Sequence, residues 1–452
     1  MKNAFQNFAL IGLLAILAAC GGGVPVTEAK EMYVKADTGL DSNPGTLDKP
    51  LKTIKKALGL WKAGRELVLI PSIYNEVSGE TWPYDAPAGL VIKATASGVV
   101  LENSVGSPRR VAFNTSQVQF ENITFKDFRR ALVQSTGTQT LKGVSFEGGT
   151  GETTALDLSK AAEASWSGVN LNNSSVNLSG ASKLTLKGCV LKGSSTFNPS
   201  GAAELNLESC TTPDDSVDGV VFARDSSKTT IKQSTLSVQK YVVYTGETAS
   251  VTVEDSTLSS LQSSPALIRG GSFSIKGGRA YGYKRYGLES DMGSASLRVE
   301  GTQVYGVAGG IYQASGYLQI NAATLSSPSS ALLIGGSGVG LSLRNSTLET
   351  TQSNSNVILF NTNSTFGSAD LGTASSLGNN IFKNTSGGAN PRSMLGVYIG
   401  AGLTATVAAS GNTWMANQQG ADAAGHYAAT SVVGPSAQGV NYYVVAGVTL
   451  NF

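Results

Sequence analysis

Two short stretches of this 452-residue chain carry side chains whose types and spacing could do chemistry. The first is Pro213-Asp214-Asp215-Ser216-Val217-Asp218-Gly219, with Arg224 and Asp225 just beyond. Clustered carboxylates beside a cation are the material of general acid–base work, and an oxygen-rich turn can hold Ca2+. A solvated turn is the plainer reading of the same residues. The second stretch is Arg279-Ala280-Tyr281-Gly282-Tyr283-Lys284-Arg285-Tyr286. The rings of Tyr281, Tyr283 and Tyr286 can stack on sugar faces, while Lys284 and Arg285 can pair with uronate or sulfate. Lys240-Tyr241 and Arg129-Arg130 repeat the basic character at comparable positions. The plainer reading here is tyrosine packing at a corner among solvated charges.

Other chemistry is poorly supplied. His426 is the single histidine, so no His-dependent triad and no His-rich metal site can be built. Asp37, Asp41 and Asn43 resemble a metal loop but lack the Gly and terminal Glu of an EF-hand, so they read as turn and helix-entry residues. No metal site is assigned, and Ca2+ at the Asp214 cluster is the one cofactor expected, if any. Cys189 and Cys210 could bridge, but stacked buried thiols are the preferred reading.

The elements that must position these residues show themselves as a repeat of about 22 residues, in the range of solenoids. Small or polar residues recur at Asn122, Gly143, Gly168, Gly188, Ser209, Gln233, Asp255, Gly277, Gly301, Ala322 and Asn345, spaced 20 to 25 apart. Two residues before each anchor the side chain is always apolar, from Phe120 and Leu141 to Ile320 and Leu343. Four before, only Gln139 and Thr229 are strongly polar; three after, Phe125, Phe146, Leu171 and their successors are apolar except Thr212. Offsets of minus four and minus two have the period of a strand with one buried face. The inward parity changes at the anchor, which is what a corner does. A further strand follows in most coils, as in Tyr241-Val242-Val243 and Ala266-Leu267-Ile268. Each coil therefore holds two or three short strands, each paired with its equivalent in the next coil. An antiparallel sandwich does not predict columns at constant offset. The fold expected is all-β, a right-handed parallel β-helix over residues 66–440. A strand and an amphipathic helix at Lys52 to Lys62 cap it within 31–65, with Ile54, Ala57, Leu58 and Trp61 on the buried face. Residues 441–452 form a C-terminal cap.

Residues 1–19 read as an export signal: Lys2 gives a positive start and Ala9 to Ala19 an apolar run too short to span a bilayer. The closing Leu17-Ala18-Ala19-Cys20 resembles the lipobox of bacterial lipoproteins, which implies acylation of Cys20 and a tether over 20–30. Gly21 in place of Asp implies, by the same resemblance, an outer-membrane or surface home. Net charge is only +2, so nucleic acid is not an expected partner; the membrane, through the acyl anchor, and polysaccharide are.

Asp37, Gly39, Asp41, Asn43-Pro44-Gly45-Thr46, Lys49-Pro50, Thr53-Ile54 and Ala57 form a long pattern. It resembles the opening of pectate-lyase-like β-helix proteins and of a related uncharacterised family of bacterial lipoproteins. The tail Ala409-Ser410-Gly411-Asn412-Thr413-Trp414, with Gln419 to Asp422 and Gly425-His426-Tyr427, is similar to the end of that family. The resemblance implies fold more than activity, because one coil stack carries lyases, hydrolases, adhesins and spacers. Lyases of this shape use a Lys or Arg base with Ca2+-binding carboxylates, and hydrolases use Asp residues on adjacent coils. No Gly-His follows the Asp pair here, and no Arg-Ile-Lys occurs. The expectation is a lipid-anchored envelope protein with a structural or glycan-binding, non-enzymatic role. The alternative is a surface lyase or hydrolase acting on acidic glycans, with Asp214, Asp215, Asp218 and Arg224 as its catalytic candidates.

Overall fold

The computed structural model describes residues 29–104, 111–149, 153–213, 217–352, 355–362, 366–385, 395–398, 403–416, 442–444 and 448–451. Over these residues the chain winds as a right-handed parallel β-solenoid of about 23 residues per turn. One coil shows the plan. Lys228–Lys232, Thr235–Val238 and Tyr241–Thr245 are its three strands. The next coil lies parallel to it, with Ile231 beside Val253, Leu236 beside Leu258 and Val243 beside Ala266. Among the described residues the first sheet holds 17 strands and the third 15; the second is split into blocks of six and eight. The split falls at Thr211, which makes only single bridges to Val190 and Thr235.

The anchor column has a backbone cause. All eleven anchors have φ between 47° and 68°, and Asn379 and Gly411 continue the series at 51° and 72°. A left-handed corner is costly for most L-residues, and Gly, Asn and Asp tolerate it best. The next residue turns inward and caps the corner of the preceding coil. Ser234 Oγ accepts the Cys210 N–H at 3.1 Å, Ser256 Oγ accepts that of Ser234 at 3.1 Å, and Asn380 Oδ1 accepts that of Ser346 at 3.0 Å. Buried corner amides that lack a ladder partner are satisfied this way.

Cys189 and Cys210 stand in this same column. The reading of them as free thiols is corrected: they form a disulfide, with Cα atoms 4.4 Å apart. In-register coils bring equivalent positions within bridging distance, so a shared inward column is enough.

The inward side chains make one continuous core. Its N-terminal part is aromatic, with Phe125, Phe146 and Trp166 stacked on successive coils at 5.3 and 5.6 Å. Gln139, a polar exception in the column, donates to Thr115 Oγ1 at 3.2 Å and accepts the Trp166 indole N–H at 3.3 Å.

One short helix, α1 (Ile54–Leu60), seats Ile54 and Ala57 in the N-terminal end of this core, with Leu58 and Trp61 packed against it. It is shorter than the 52–62 segment expected. Asp41 takes the Lys52 and Thr53 amides at 3.0 and 2.9 Å, and Thr53 is extended and caps Lys56 N–H. Asn43 donates to the Pro50 carbonyl at 2.9 Å and Asp37 accepts the Ser72 hydroxyl at 2.9 Å. These residues thus have the turn and helix-entry roles expected of them. The buried Glu80 carboxylate accepts the Ile54 N–H at 2.8 Å and the Tyr84 hydroxyl at 2.5 Å. At the far end Tyr442–Val444 and Val448–Asn451 add parallel rungs beside Leu395–Tyr398 and Ala405–Ala408.

Candidate functional site

The solenoid's outer surface is far from uniform in charge. On the first sheet, cations and carboxylates of neighbouring coils neutralise one another: Lys142 with Glu121 at 3.0 Å, Lys232 with Glu254 at 2.8 Å, Arg344 with Asp370 at 2.7 Å. The corner between the second and third sheets differs. There the strand Arg279–Gly282 ends, Tyr283-Lys284-Arg285 turns, and Tyr286–Ser290 begins. Ala280, Gly282 and Leu288 point inward and are buried. By strand alternation Arg279 and Tyr281 then face outward.

Tyr281 stands beside Tyr305 of the next coil and stacks near Tyr283, with centroids 6.4 Å apart in both pairs. Tyr283 is 51% exposed, so its ring is available at the surface. Lys284 Nζ donates to the neutral Gln262 side chain at 2.6 Å. Arg279 has no ion-pair partner among the described residues. This side of the corner therefore combines open aromatic rings with uncompensated positive charge.

The other side is closed. Arg285 donates to Glu289 Oε1 at 2.5 Å, and Ser264 donates to Glu289 Oε2 at 2.5 Å. Glu289 lies on an outward column yet is only 3% exposed. Arg285 sits 5.9 Å from the Tyr286 ring centre, and Tyr286 stacks on Tyr312 at 5.0 Å and 21°. Glycines make room for these rings. A Cβ on Gly309 would meet Tyr286 Cδ1 at 2.8 Å, and one on Gly335 would meet Tyr312 Cε2 at 2.4 Å. Burial, then the Glu289 charge, raises both phenols above their ordinary range, so they stay protonated at neutral pH.

The residues singled out from sequence are spread along this corner and beyond it. Asp218 pairs with Lys240 of the following coil at 3.2 Å, and both are well exposed. Lys240 joins Asp218 by an amide bond and an ion pair, the Gln262 amide donates to the Gln239 carbonyl beside Lys240, and Lys284 reaches the Gln262 side chain. Tyr241 opens the third-sheet strand after Lys240 and is half-buried. Arg224 lies past the other end of the strand Gly219–Ala223, at a different corner, and does not join the group. Arg130 pairs with Asp157 at 2.8 Å, several coils away. Asp214, Asp215, Cys20 and His426 lie outside the described residues. Among the described residues no three of His, Cys, Asp and Glu gather as a metal site, and the Asp218 carboxylate already faces an ammonium. The Ca2+ expectation rests on Asp214 and Asp215 as well, and these lie outside the described residues. No helix among the described residues is long and apolar enough to cross a membrane.

Sequence reasoning brought Glu289 into the same group as Arg285, and it missed Tyr305, Tyr312 and Ser264 as partners of this corner. Tyr305 carried a signal, since it stands four after Gly301 as Tyr281 stands four after Gly277. The others did not, because the third strand's distance from the anchor varies between coils.

Similar chains were found among solved structures. Tailspike protein 3 of bacteriophage CBA120 is 12% identical, over 98% of this chain and 69% of its own, with a TM-score of 0.43. A pectate lyase is 13% identical over 90% and 83%, at 0.18. The A-module of a mannuronan C-5 epimerase from Azotobacter vinelandii is 11% identical over 87% and 92%, at 0.20. The likeness concerns the course of the coils, and no residue's role is taken from it. No curated protein matches the chain. A family model does match, over residues 37–419, from the turn that Asp37 begins to the last coils of the stack. The chain accordingly belongs to the family described as "Protein of unknown function (DUF1565)".

Proposed function

We propose that the protein engages acidic polysaccharide at the corner built by Arg279, Tyr281, Tyr283, Lys284 and Tyr305. One observation carries this reading: the exposed Tyr283 and its neighbouring rings sit beside cations with no acidic partner, whereas first-sheet cations such as Lys142, Lys232 and Arg344 are paired. Sugar rings present an apolar face for stacking, and uronate or sulfate groups complement the cations. A bare spacer has no use for such a patch. The acyl anchor at Cys20 would hold the rod at the cell envelope, where polysaccharide is met. A glycan microarray tests the reading. Wild-type protein should bind uronate-containing or sulfated glycans, and Tyr283→Ala with Lys284→Ala should lose that binding. Equal signals for both proteins would refute it.

A second reading, a surface lyase or hydrolase, gains from the Arg285–Glu289 pair and the adjacent tyrosines. Those are residue types that abstract protons and stabilise charge. Incubation with polyuronates should then release new reducing ends or unsaturated products, and their absence would leave binding alone.

A further inference from the structure

The two sides of the corner carry different charge, and the difference implies different sugars. On the third-sheet side of these coils two cations are closed by carboxylates: Arg285 by Glu289 at 2.5 Å, and Arg269 by Asp291 at 2.9 Å. The Glu289 carboxylate is doubly held and buried, so it fixes the Arg285 guanidinium in one orientation. A guanidinium has five N–H donors, and Arg285 is 49% exposed, so donors remain for a ligand. Beside it the stacked Tyr286 and Tyr312 rings lie over the backbone at Gly309 and Gly335. This surface has apolar faces and fixed hydroxyl-binding edges but no net charge.

The same outward column changes character along the rod. In earlier coils it is an amide ladder that satisfies itself, with Asn177 donating to Asp157 at 2.9 Å and Asn198 to Asn177 at 3.0 Å. From Phe222 onward it becomes Tyr244, Leu267, Glu289, Tyr312 and Leu333 by register. A solvated rod face gains nothing from exchanging hydrogen-bonded amides for rings.

We infer that the third-sheet face at Arg285, Tyr286, Glu289 and Tyr312 is a separate subsite for an uncharged pyranose unit. The sugar packs along the outward side of the Tyr286–Tyr312 pair, and its hydroxyls meet the Arg285 guanidinium and the tyrosine hydroxyls. Glu289 and Ser264 act as positioning residues for Arg285. The inference rests on the reading that the chain engages carbohydrate, but on other residues, so the two can fail separately.

Calorimetric titration of the full chain with maltohexaose, cellohexaose and laminarihexaose, and separately with an oligogalacturonate, tests it. At least one neutral probe should bind, and Tyr312→Ala should weaken it roughly tenfold, about 1.4 kcal/mol. Gly309→Ala, which displaces Tyr286, should weaken the same probe, and Val77→Ala, at an exposed position remote from both sites, should leave it unchanged. Thermal melts of each variant check that the rod is intact. Failure of every neutral probe at millimolar concentration, or binding unchanged in Tyr312→Ala, overturns the subsite. Loss of oligogalacturonate binding alone would instead count against the acidic site.

Discussion

At the residue scale, function and stability depend on how individual charges are closed. Glu80 at the N-terminal cap is the clearest case. Burial raises its carboxyl above 4.5, against the opposing hydrogen bonds from Tyr84, Ile54 and Lys55. The folded state therefore holds the proton more tightly than the unfolded chain does. Its contribution to stability is fully present below the ordinary glutamate range and is lost as pH rises through the raised value. Denaturation of Glu80→Gln at acid and neutral pH checks this. Relative to wild type, the variant should gain as pH rises, and a difference independent of pH would oppose the argument. Residue identities in the core were legible in the sequence because burial restricts them at fixed intervals. The contact of Glu289 with Ser264, one coil earlier, was not legible, because nothing in either neighbourhood shows that the two would meet.

At the element scale, the unit is the corner. Ala322 occupies a left-handed corner at φ 51° with its side chain exposed. Ala322→Gly removes the strain of an L-residue there, less the extra freedom glycine has when unfolded. The net gain should be roughly 0.5–1 kcal/mol in chemical denaturation. Ile231, fully buried in the inward column, predicts the opposite: Ile231→Ala should cost about 2–5 kcal/mol. The Cys189–Cys210 bridge spans 21 positions, so Cys189→Ser with Cys210→Ser should cost roughly 2–4 kcal/mol. Intact mass after alkylation without reductant checks the bridge itself, and labelling of both cysteines would contradict it. The anchor column was readable before its cause was known. Small and polar residues marked the corners, and the positive φ explains why Gly, Asn and Asp recur there. The third strand was harder to read. Glu289 stands twelve residues after Gly277 and Tyr312 eleven after Gly301, so no constant offset exposes the column.

At the scale of the whole molecule, the rod is a scaffold whose faces are chemically distinct. Inward positions repeat because every coil solves the same packing problem. Outward positions are free of that constraint, so a functional patch has no period to betray it. That is why the fold was legible over eleven units while the site was legible only as a local run, Arg279 to Tyr286. The proposed export and acylation at Cys20 belong to this scale too. Cys20→Ser should move the protein from the membrane fraction to the soluble fraction, and unchanged fractionation would remove the anchor.

The central claim is that cations left open beside exposed tyrosines bind acidic polysaccharide. Affinity electrophoresis through a gel containing polygalacturonate tests it most directly. Wild-type protein should be retarded, less so as salt rises, and Arg279→Glu with Lys284→Glu should abolish the retardation while the rod stays folded. Retardation that is equal in both proteins, or absent in wild type at low salt, would contradict the account.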